Sequence, residues 1–205
     1  MKASIIIPTL NREEILLKTL KGIAGLSGDF EVLVVDQSDT PVKEDLLKSI
    51  DQRIRLVYLK EKGLPNARNI GANEADGEIL IYLDDDVEIQ NLDFIEAHLQ
   101  NYEDSLVGAV AGRVRQPWEK SPGGRIGGIR TPLLIVGGSF NLEKKQKVTN
   151  MIGCNFSIRK SLVRELGGFD SNFLGSANLE ESDMAIRVTR SGYKIIFEPQ
   201  AYLHH

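Results

Sequence analysis

Three consecutive carboxylates, Asp84-Asp85-Asp86, follow directly on the apolar run Ile79-Leu80-Ile81-Tyr82-Leu83. If the backbone stays extended, Asp84 and Asp86 point to one side and Asp85 to the other, so two carboxylates converge on one point. Like charges that close repel, and a hard divalent cation with oxygen ligands is the simplest relief. Mg²⁺ or Mn²⁺ held by one or two carboxylates completes its shell with water and phosphate oxygens, so a phosphorylated ligand is expected. Three acidic residues alone would read as a solvated turn. Their place at the carboxyl end of a buried strand, where open α/β sheets bind ligands, favours a site. Upstream, Gly63-Leu64-Pro65-Asn66-Ala67-Arg68-Asn69 could open a helix whose N-terminus, with Arg68, meets an anion. By itself Arg68 would read as a surface residue of an ordinary helix. Downstream, Glu181 shares a helical face with Met184, Ala185 and Val188, while Glu180, Asp183 and Arg187 share a more polar one. A capping box, with Asn178 as N-cap and Glu181 three residues on, accounts for the same residues, and both readings stay open. Neither G-x-x-x-x-G-K-[ST] nor a strand-borne G-x-G-x-x-G is present, which argues against kinase-type and dinucleotide chemistry.

These side chains need a scaffold that brings residues 63–69, 84–86 and 180–183 together. Short apolar runs at 4–7, 30–35, 54–59 and 79–83 read as strands, with amphipathic helical stretches between them. Asn11 is a candidate N-cap with Glu14 three residues on, opening a helix that carries Ile15, Leu16, Leu20 and Ile23 and is ended by Gly25 and Gly28. Helices are also predicted over 42–50 and over 65–75, the latter with Pro65 in its first turn. Ile5-Ile6-Ile7 and Ile79-Leu80-Ile81 are apolar throughout, the pattern of parallel strands covered on both faces. The predicted fold is therefore α/β: a doubly wound, mostly parallel sheet flanked by helices. Helices over 92–102, 160–166 and 180–191 and strands over 107–114, 152–158 and 194–197 complete it. Residues 117–138, with Gly-Gly pairs and prolines, read as a long, irregular and partly mobile loop, and a loop of that length is usually functional. Trp118 within it could stack on a sugar ring or anchor the loop to the core. His98, in an amphipathic helix, reads as structural.

Composition narrows the class. At 205 residues, 41% hydrophobic and 26% charged, the chain can bury a real core, which excludes disorder and coiled coil. Lys and Arg number 25 against 29 Asp and Glu, a net charge of −4 too mild and too evenly spread for a nucleic-acid partner. The short apolar run at the start is ended by Pro8, and no stretch approaches the ~20 residues that span a bilayer, so neither a signal peptide nor a membrane helix is expected. The lone Cys154, with three histidines, supports neither a disulfide nor a classical zinc site, and a reducing, cytoplasmic setting is expected. The sequon Asn155-Phe156-Ser157 is then a chance match.

Six segments, taken in order, resemble the motifs of family-two glycosyltransferases with the GT-A fold, the Rossmann-like nucleotide-diphospho-sugar transferases. They are Ser4 to Arg12 (SIIIPTLNR), Val34-Val35-Asp36-Gln37-Ser38-Asp39, Gly63 to Asn69, Tyr82 to Asp86, Gly153-Cys154-Asn155 and Gly167-Gly168-Phe169-Asp170. Each is weak alone, but their order over nearly the whole chain is specific. The resemblance implies a single catalytic domain over 1–205, with 1–103 as the nucleotide-binding half and 104–205 as the acceptor-side half that carries the loop 117–138. It implies a nucleotide-diphosphate-sugar donor, Mn²⁺ or Mg²⁺ as cofactor, and a D-x-D metal motif on Asp84 and Asp86. Nucleotide-sugar contacts are implied for Pro8, Thr9, Asn11, Asp36, Gln37, Arg68, Asp84, Asp85 and Asn155, although many members carry Asp-Asp where this chain has Asp36-Gln37. In the family a histidine just past the last core strand often completes the metal shell. His204 and His205 stand there, His205 better spaced from Pro199, and frayed or tag-derived termini are the other account of the pair. Inverting transfer needs a base for the acceptor hydroxyl proton. The family's base position falls on Glu181, where Asp is more usual, with Glu180 and Asp183 as neighbouring catalytic candidates.

The function so implied is metal-dependent, inverting transfer of a hexose from a nucleotide diphosphate to a hydroxyl of a glycan or lipid-linked saccharide, in polysaccharide biosynthesis. A nucleotidyltransferase would want a glycine-rich, basic turn where Pro8-Thr9-Leu10-Asn11 stands, and a phospho-receiver domain would want an acidic pair there. A catalytically weak nucleotide-sugar-binding protein is kept open by Glu181 in place of Asp. The chain stops soon after its last motif, leaving room for a carboxyl-terminal acceptor or membrane-docking segment, and peripheral association at the inner membrane face fits that reading.

Overall fold

The computed structural model describes residues 1–119, 128–130, 135–137, 139–174 and 179–205. In the first half β1 (Ala3–Thr9), β2 (Phe30–Asp36), β3 (Ile54–Tyr58) and β4 (Ile79–Leu83) run parallel in the order β3-β2-β1-β4. They are linked by α1 (Glu13–Ala24), α2 (Glu44–Ile50) and α3 (Leu64–Glu74). Every residue of β1, β2 and β4 is buried, because helices cover both faces. Ile5 and Ile7 pack into one apolar cluster with Leu16, Leu20 and Ile23 of α1, and Ile6 packs into the other with Ala67 and Ala72 of α3. The doubly wound, helix-flanked sheet expected from the apolar runs is therefore present.

The second half continues the same sheet with more mixed directions than expected. β5 (Val107–Arg115), β9 (Asn155–Arg159) and β10 (Lys194–His204) extend it in the order β4-β9-β5-β10, with β8 (Gln146–Val148) at the edge. β9 runs antiparallel to both β4 and β5, and β10 runs parallel to β5. The helices here are α4 (Phe94–Leu99), extended by a 3-10 turn over Gln100–Glu103, α5 (Lys160–Glu165) and α6 (Glu180–Arg190). Within the segment expected to be irregular, β6 (Gly128–Arg130) and β7 (Ile135–Gly137) pair antiparallel. The expected mobility of that segment falls on residues outside those described.

The last strand does not stop before Pro199 as expected. A register shift between Glu198 and Tyr202 carries the chain past the proline, and pairing with β5 resumes at Tyr202. The consequence is functional, because His204 pairs with Glu88 and the chain end is delivered beside the aspartates after β4.

His98 of α4 is fully buried, as the structural reading required, with Nδ1 2.9 Å from Ser157 Oγ and Nε2 3.1 Å from Asn155 Oδ1. Burial lowers its pKa to about 4, whereas in the unfolded chain it titrates near 6.5. Between those values the unfolded state binds a proton that the folded state does not, so stability is lost as pH falls from about 6.5 towards 4, by up to about 1.4 kcal/mol per pH unit. Denaturation midpoints between pH 7 and 4.5 should fall more steeply for the native protein than for His98→Gln. Parallel curves would show that His98 is not the group responsible.

Candidate active site

Beyond β4 the aspartates alternate in direction. Asp84 Oδ2 lies 3.5 Å and Asp86 Oδ1 3.1 Å from Nε2 of His205. Asp85 turns the other way and is buried, accepting from Thr9 Oγ1 at 2.7 Å and pairing with Arg12 at 2.8 Å. Arg12 also donates to Asp86 Oδ2 at 2.6 Å, so one guanidinium bridges two of the three carboxylates. Two donors each about 2.1 Å from one ion stand roughly 3.0–3.4 Å apart, so each aspartate stands close to ligand spacing from the His205 imidazole. Asp86 Oδ1 is buried and accepts no aligned hydrogen bond, leaving an oxygen whose natural partner is a cation. Burial acts to raise the Asp86 carboxyl, but the hydrogen bond from Arg12 and the charges of His205 and Arg12 outweigh it and hold the group below its usual range. At Asp85 burial wins over the Thr9 and Arg12 contacts and the carboxyl is raised. The Gln116 amide sits 3.2 Å from His205 Nδ1 and fixes the ring. His204 does not join this group. Its Nε2 lies 2.8 Å from the Tyr202 hydroxyl, because strand alternation sends it to the other side.

The facing wall is the start of α6. Leu179, in the left-handed region (φ 78°), precedes the first helical residue, Glu180, so Glu181 is the second helical residue instead of the third position of a capping box. Asn178 lies outside the described residues. The three carboxylates of this segment diverge. Glu180 is buried in an ion pair with Arg68, and Asp183 pairs with Arg187 one turn on at 2.7 Å. Glu181 lines a cleft of about 360 Å³ together with Arg68, Asp84, Gly153, Cys154 and His205. Glu180 and Asp183, expected as alternative catalytic groups, are thus ion-paired with arginines; Glu180 and Glu181 both line the cleft, and only Asp183 does not. Burial raises the Glu181 carboxyl above the usual range, the Asp84 charge acting the same way against the opposing charge of Arg68.

Arg68 is 1% exposed and is no surface residue. It donates to the Gly153 carbonyl at 2.9 Å, approaches Asp84 at 3.8 Å, and lies over Phe156 and Phe169 at 5.5 and 5.7 Å. A Cβ on Gly153 would stand 3.4 Å from the guanidinium and 3.8 Å from Glu181 Oε2, ordinary van der Waals contact, so this position borders both side chains. Asn69, next to Arg68, exchanges hydrogen bonds of 2.7 and 2.8 Å with the backbone of Phe169. Gly168, at φ 78°, leaves room for it, since a Cβ there would fall 2.6 Å from Asn69 Oδ1. The Gly-Gly-Phe segment therefore locks the helix that carries Arg68.

On the other side of Asp84 a cleft of about 640 Å³ is lined by Pro8, Thr9, Arg12, Gln37, Lys62 and Asp85. Gln37 donates to the Glu61 carbonyl at 2.5 Å and ties the loop before α3 to the end of β2. Asn11 does not cap α1. It takes φ 55°, and its amide exchanges hydrogen bonds of 2.9 and 3.0 Å with Asp39, joining the loops after β1 and β2. Two residues expected at the donor, Asp36 and Asn155, have partners within the protein. Asp36 is buried, each oxygen accepting a backbone N–H, from Ser38 and from Val42, at 2.8 Å. Asn155 is buried too: its Nδ2 donates to the carbonyls of Arg113 and Ala201, across Gly112, whose missing Cβ would overlap the amide. Both side chains shape the backbone of the site and are satisfied within the protein. Trp118 is 76% exposed, so it does not anchor its loop to the core. Sequence reasoning missed Arg12 and Gln116. Arg12 closes the SIIIPTLNR segment, but nothing local shows that it reaches residues 85 and 86.

Comparison with known proteins agrees with this geometry. A family model described as Glycosyl transferase family 2 matches residues 4–167. A Bacillus subtilis (strain 168) protein described as "Probable glycosyltransferase YdaM" is 29% identical over 98% of this chain and 49% of its own length. The glucosyl-dolichyl phosphate glucuronosyltransferase of Haloferax volcanii is 25% identical over 100% of this chain and 69% of its own. The chain thus spans about half the length of the Bacillus relative. Among solved structures, a mannosyltransferase from Pyrobaculum calidifontis in complex with GDP-Man and Mn²⁺ superposes with a TM-score of 0.74 at 19% identity, covering 99% of this chain and 56% of that one. S. aureus TarS residues 1–349 in complex with UDP gives 0.73 at 18%, covering 100% and 60%. At these identities the structural likeness is one of fold.

Proposed function

Since the chain belongs to glycosyl transferase family 2 and has the GT-A fold, we propose that it is a metal-dependent, inverting hexosyltransferase moving a sugar from a nucleotide-diphosphate donor to a hydroxyl of a glycan or lipid-linked saccharide. The observation that carries the proposal is the cleft that Asp84, His205, Arg68 and Glu181 line together. The nucleotide lies in the larger cleft against Pro8, Thr9 and Gln37, with its diphosphate towards Asp84, which lines both clefts. Asp84, Asp86 and His205 would hold the Mn²⁺ or Mg²⁺, which when bound supplies positive charge against the leaving diphosphate. Mn²⁺ in the Pyrobaculum mannosyltransferase complex supports this choice of cation. Residues 1–103 serve as the nucleotide half and 104–205 as the acceptor half.

The chain's own groups perform the transfer as follows. Glu181 accepts the proton of the acceptor hydroxyl as that oxygen attacks the anomeric carbon. The bond from that carbon to the diphosphate oxygen breaks on the opposite face, the electron pair leaving with the diphosphate. Arg68, desolvated and fixed by Glu180 and Gly153, adds a fixed positive charge near Asp84. No described helix is long and apolar enough to cross a membrane. A cytoplasmic placement with peripheral docking at the inner membrane face is part of the proposal, supported by the single, free cysteine.

The metal assignment has a direct test in nucleoside diphosphate affinity. Chelation, and separately Asp86→Ala, should each lower it by roughly tenfold or more, the order seen when a metal site is compromised. Affinity unchanged in both experiments would remove the cation from the site.

A further inference from the structure

The cation site is more than oxygen and nitrogen. Sγ of Cys154, a carboxylate oxygen of Asp84 and a ring nitrogen of His205 all lie within 4.8 Å of one another. Cys154 is 3% exposed and lines the same cleft as Asp84, His205 and Glu181. The turn before β9, closed by the Asn155 N–H donating to the Ile152 carbonyl at 3.1 Å, holds it in place, and no disulfide engages it. Independently, Asp86 Oδ1 is a buried oxygen without an aligned hydrogen bond, 3.1 Å from the same imidazole nitrogen.

We propose that Cys154 Sγ is a third donor beside Asp84 and His205, so that this site takes thiophilic divalent cations such as Zn²⁺, Cd²⁺ or Co²⁺ in preference to Mg²⁺. The proposal rests on the reading of Asp84, Asp86 and His205 as the cation ligands. One carboxylate oxygen, one imidazole nitrogen and one sulfur suit a four-coordinate ion of borderline softness, whereas Mg²⁺ demands octahedral oxygen and gains little from sulfur. A metal–sulfur distance of about 2.3 Å and a metal–oxygen distance of about 2.0 Å put those donors roughly 3.5 Å apart in a tetrahedron. Drawing Asp84, Cys154 and His205 together from within 4.8 Å asks for about an ångström of movement, and the part-exposed Asp84 side chain is placed to supply it. On binding, the thiol proton passes to solvent and the freed sulfur electron pair forms the metal–sulfur bond, with no change of oxidation state. Three protein donors leave a tetrahedral ion one open position. Zn²⁺ or Cd²⁺ held this way shares Asp84 and His205 with the Mn²⁺ or Mg²⁺ site and therefore competes with those ions.

The test is a titration of the protein with Co²⁺ and Cd²⁺, followed by the near-ultraviolet sulfur-to-metal charge-transfer band, alongside Mn²⁺ binding followed by electron paramagnetic resonance. The band should rise to one equivalent in the native protein and vanish in Cys154→Ala and in Cys154→Ser. Cd²⁺ affinity should fall about tenfold or more in both variants, while Mn²⁺ affinity changes far less. The serine variant keeps the shape of the side chain, and a native circular dichroism spectrum confirms that it folds. Cd²⁺ bound in an Asp86-dependent way without a charge-transfer band would overturn the role of Cys154 and leave the carboxylate and histidine ligands standing. Failure of every cation to bind the native protein would overturn both readings.

Discussion

Changing Glu181 to Gln is expected to lower turnover by about two to four powers of ten while nucleotide binding survives. The substitution keeps the size of the side chain and its polar contact with Ser182 Oγ (3.2 Å), and removes only the proton acceptor. Glu180 cannot take over, because its carboxylate is buried against Arg68, and Asp183 sits on the polar face of α6 with Arg187. Donor affinity should hold because the larger cleft does not include Glu181. Turnover, binding and melting temperature measured on the one variant separate the possibilities. A lowered melting point with retained turnover would make Glu181 a structural residue of the helix start and leave the chemistry without its base.

Arg68→Met should be the most destabilising single change in the site, at about 3–5 kcal/mol, because it strands the Glu180 carboxylate in the interior without a partner. For a chain of this size that corresponds to a melting temperature lower by on the order of 10 °C. Burial already works against the guanidinium, lowering its pKa, so the pair exists because the two charges meet and not because either is well solvated. Removing both, as Arg68→Met with Glu180→Gln, should recover most of the loss, since methionine fills the slot against Phe156 and Phe169 and no charge is left unpaired. If the double variant is no more stable than Arg68→Met, the ion pair is not the source of the effect. The double variant should still bind nucleotide diphosphate less tightly than the native chain, because the fixed charge beside Asp84 is gone.

What was legible in the sequence is what local periodicity controls. The apolar runs of β1 and β4 announced a sheet covered on both faces, and the pleat alone predicted that Asp84 and Asp86 would part from Asp85. The helical period placed Glu181 on a different face from Asp183. What was hidden depends on partners distant in the chain. Glu180 lies 112 residues from Arg68, and Arg12 lies 74 from Asp86. Asp36 and Asn155 are donor candidates by resemblance alone, and the backbone donors and acceptors that engage them are revealed by no spacing. Spacing from Pro199 favours His205 over His204, and the irregularity near Pro199 is what sets His205 towards the aspartates.

The central claim is that Glu181 and the Asp84, Asp86 and His205 group face each other across one reacting sugar. The most direct measurement is the anomeric configuration of the first product, followed by proton NMR with a panel of nucleotide-diphosphate hexoses, Mn²⁺ and a saccharide acceptor. This account expects a product of configuration opposite to that of the donor sugar, formed by the native protein and not by Glu181→Gln. A first product that keeps the donor's configuration, or equal product from the Glu181→Gln variant, would contradict it.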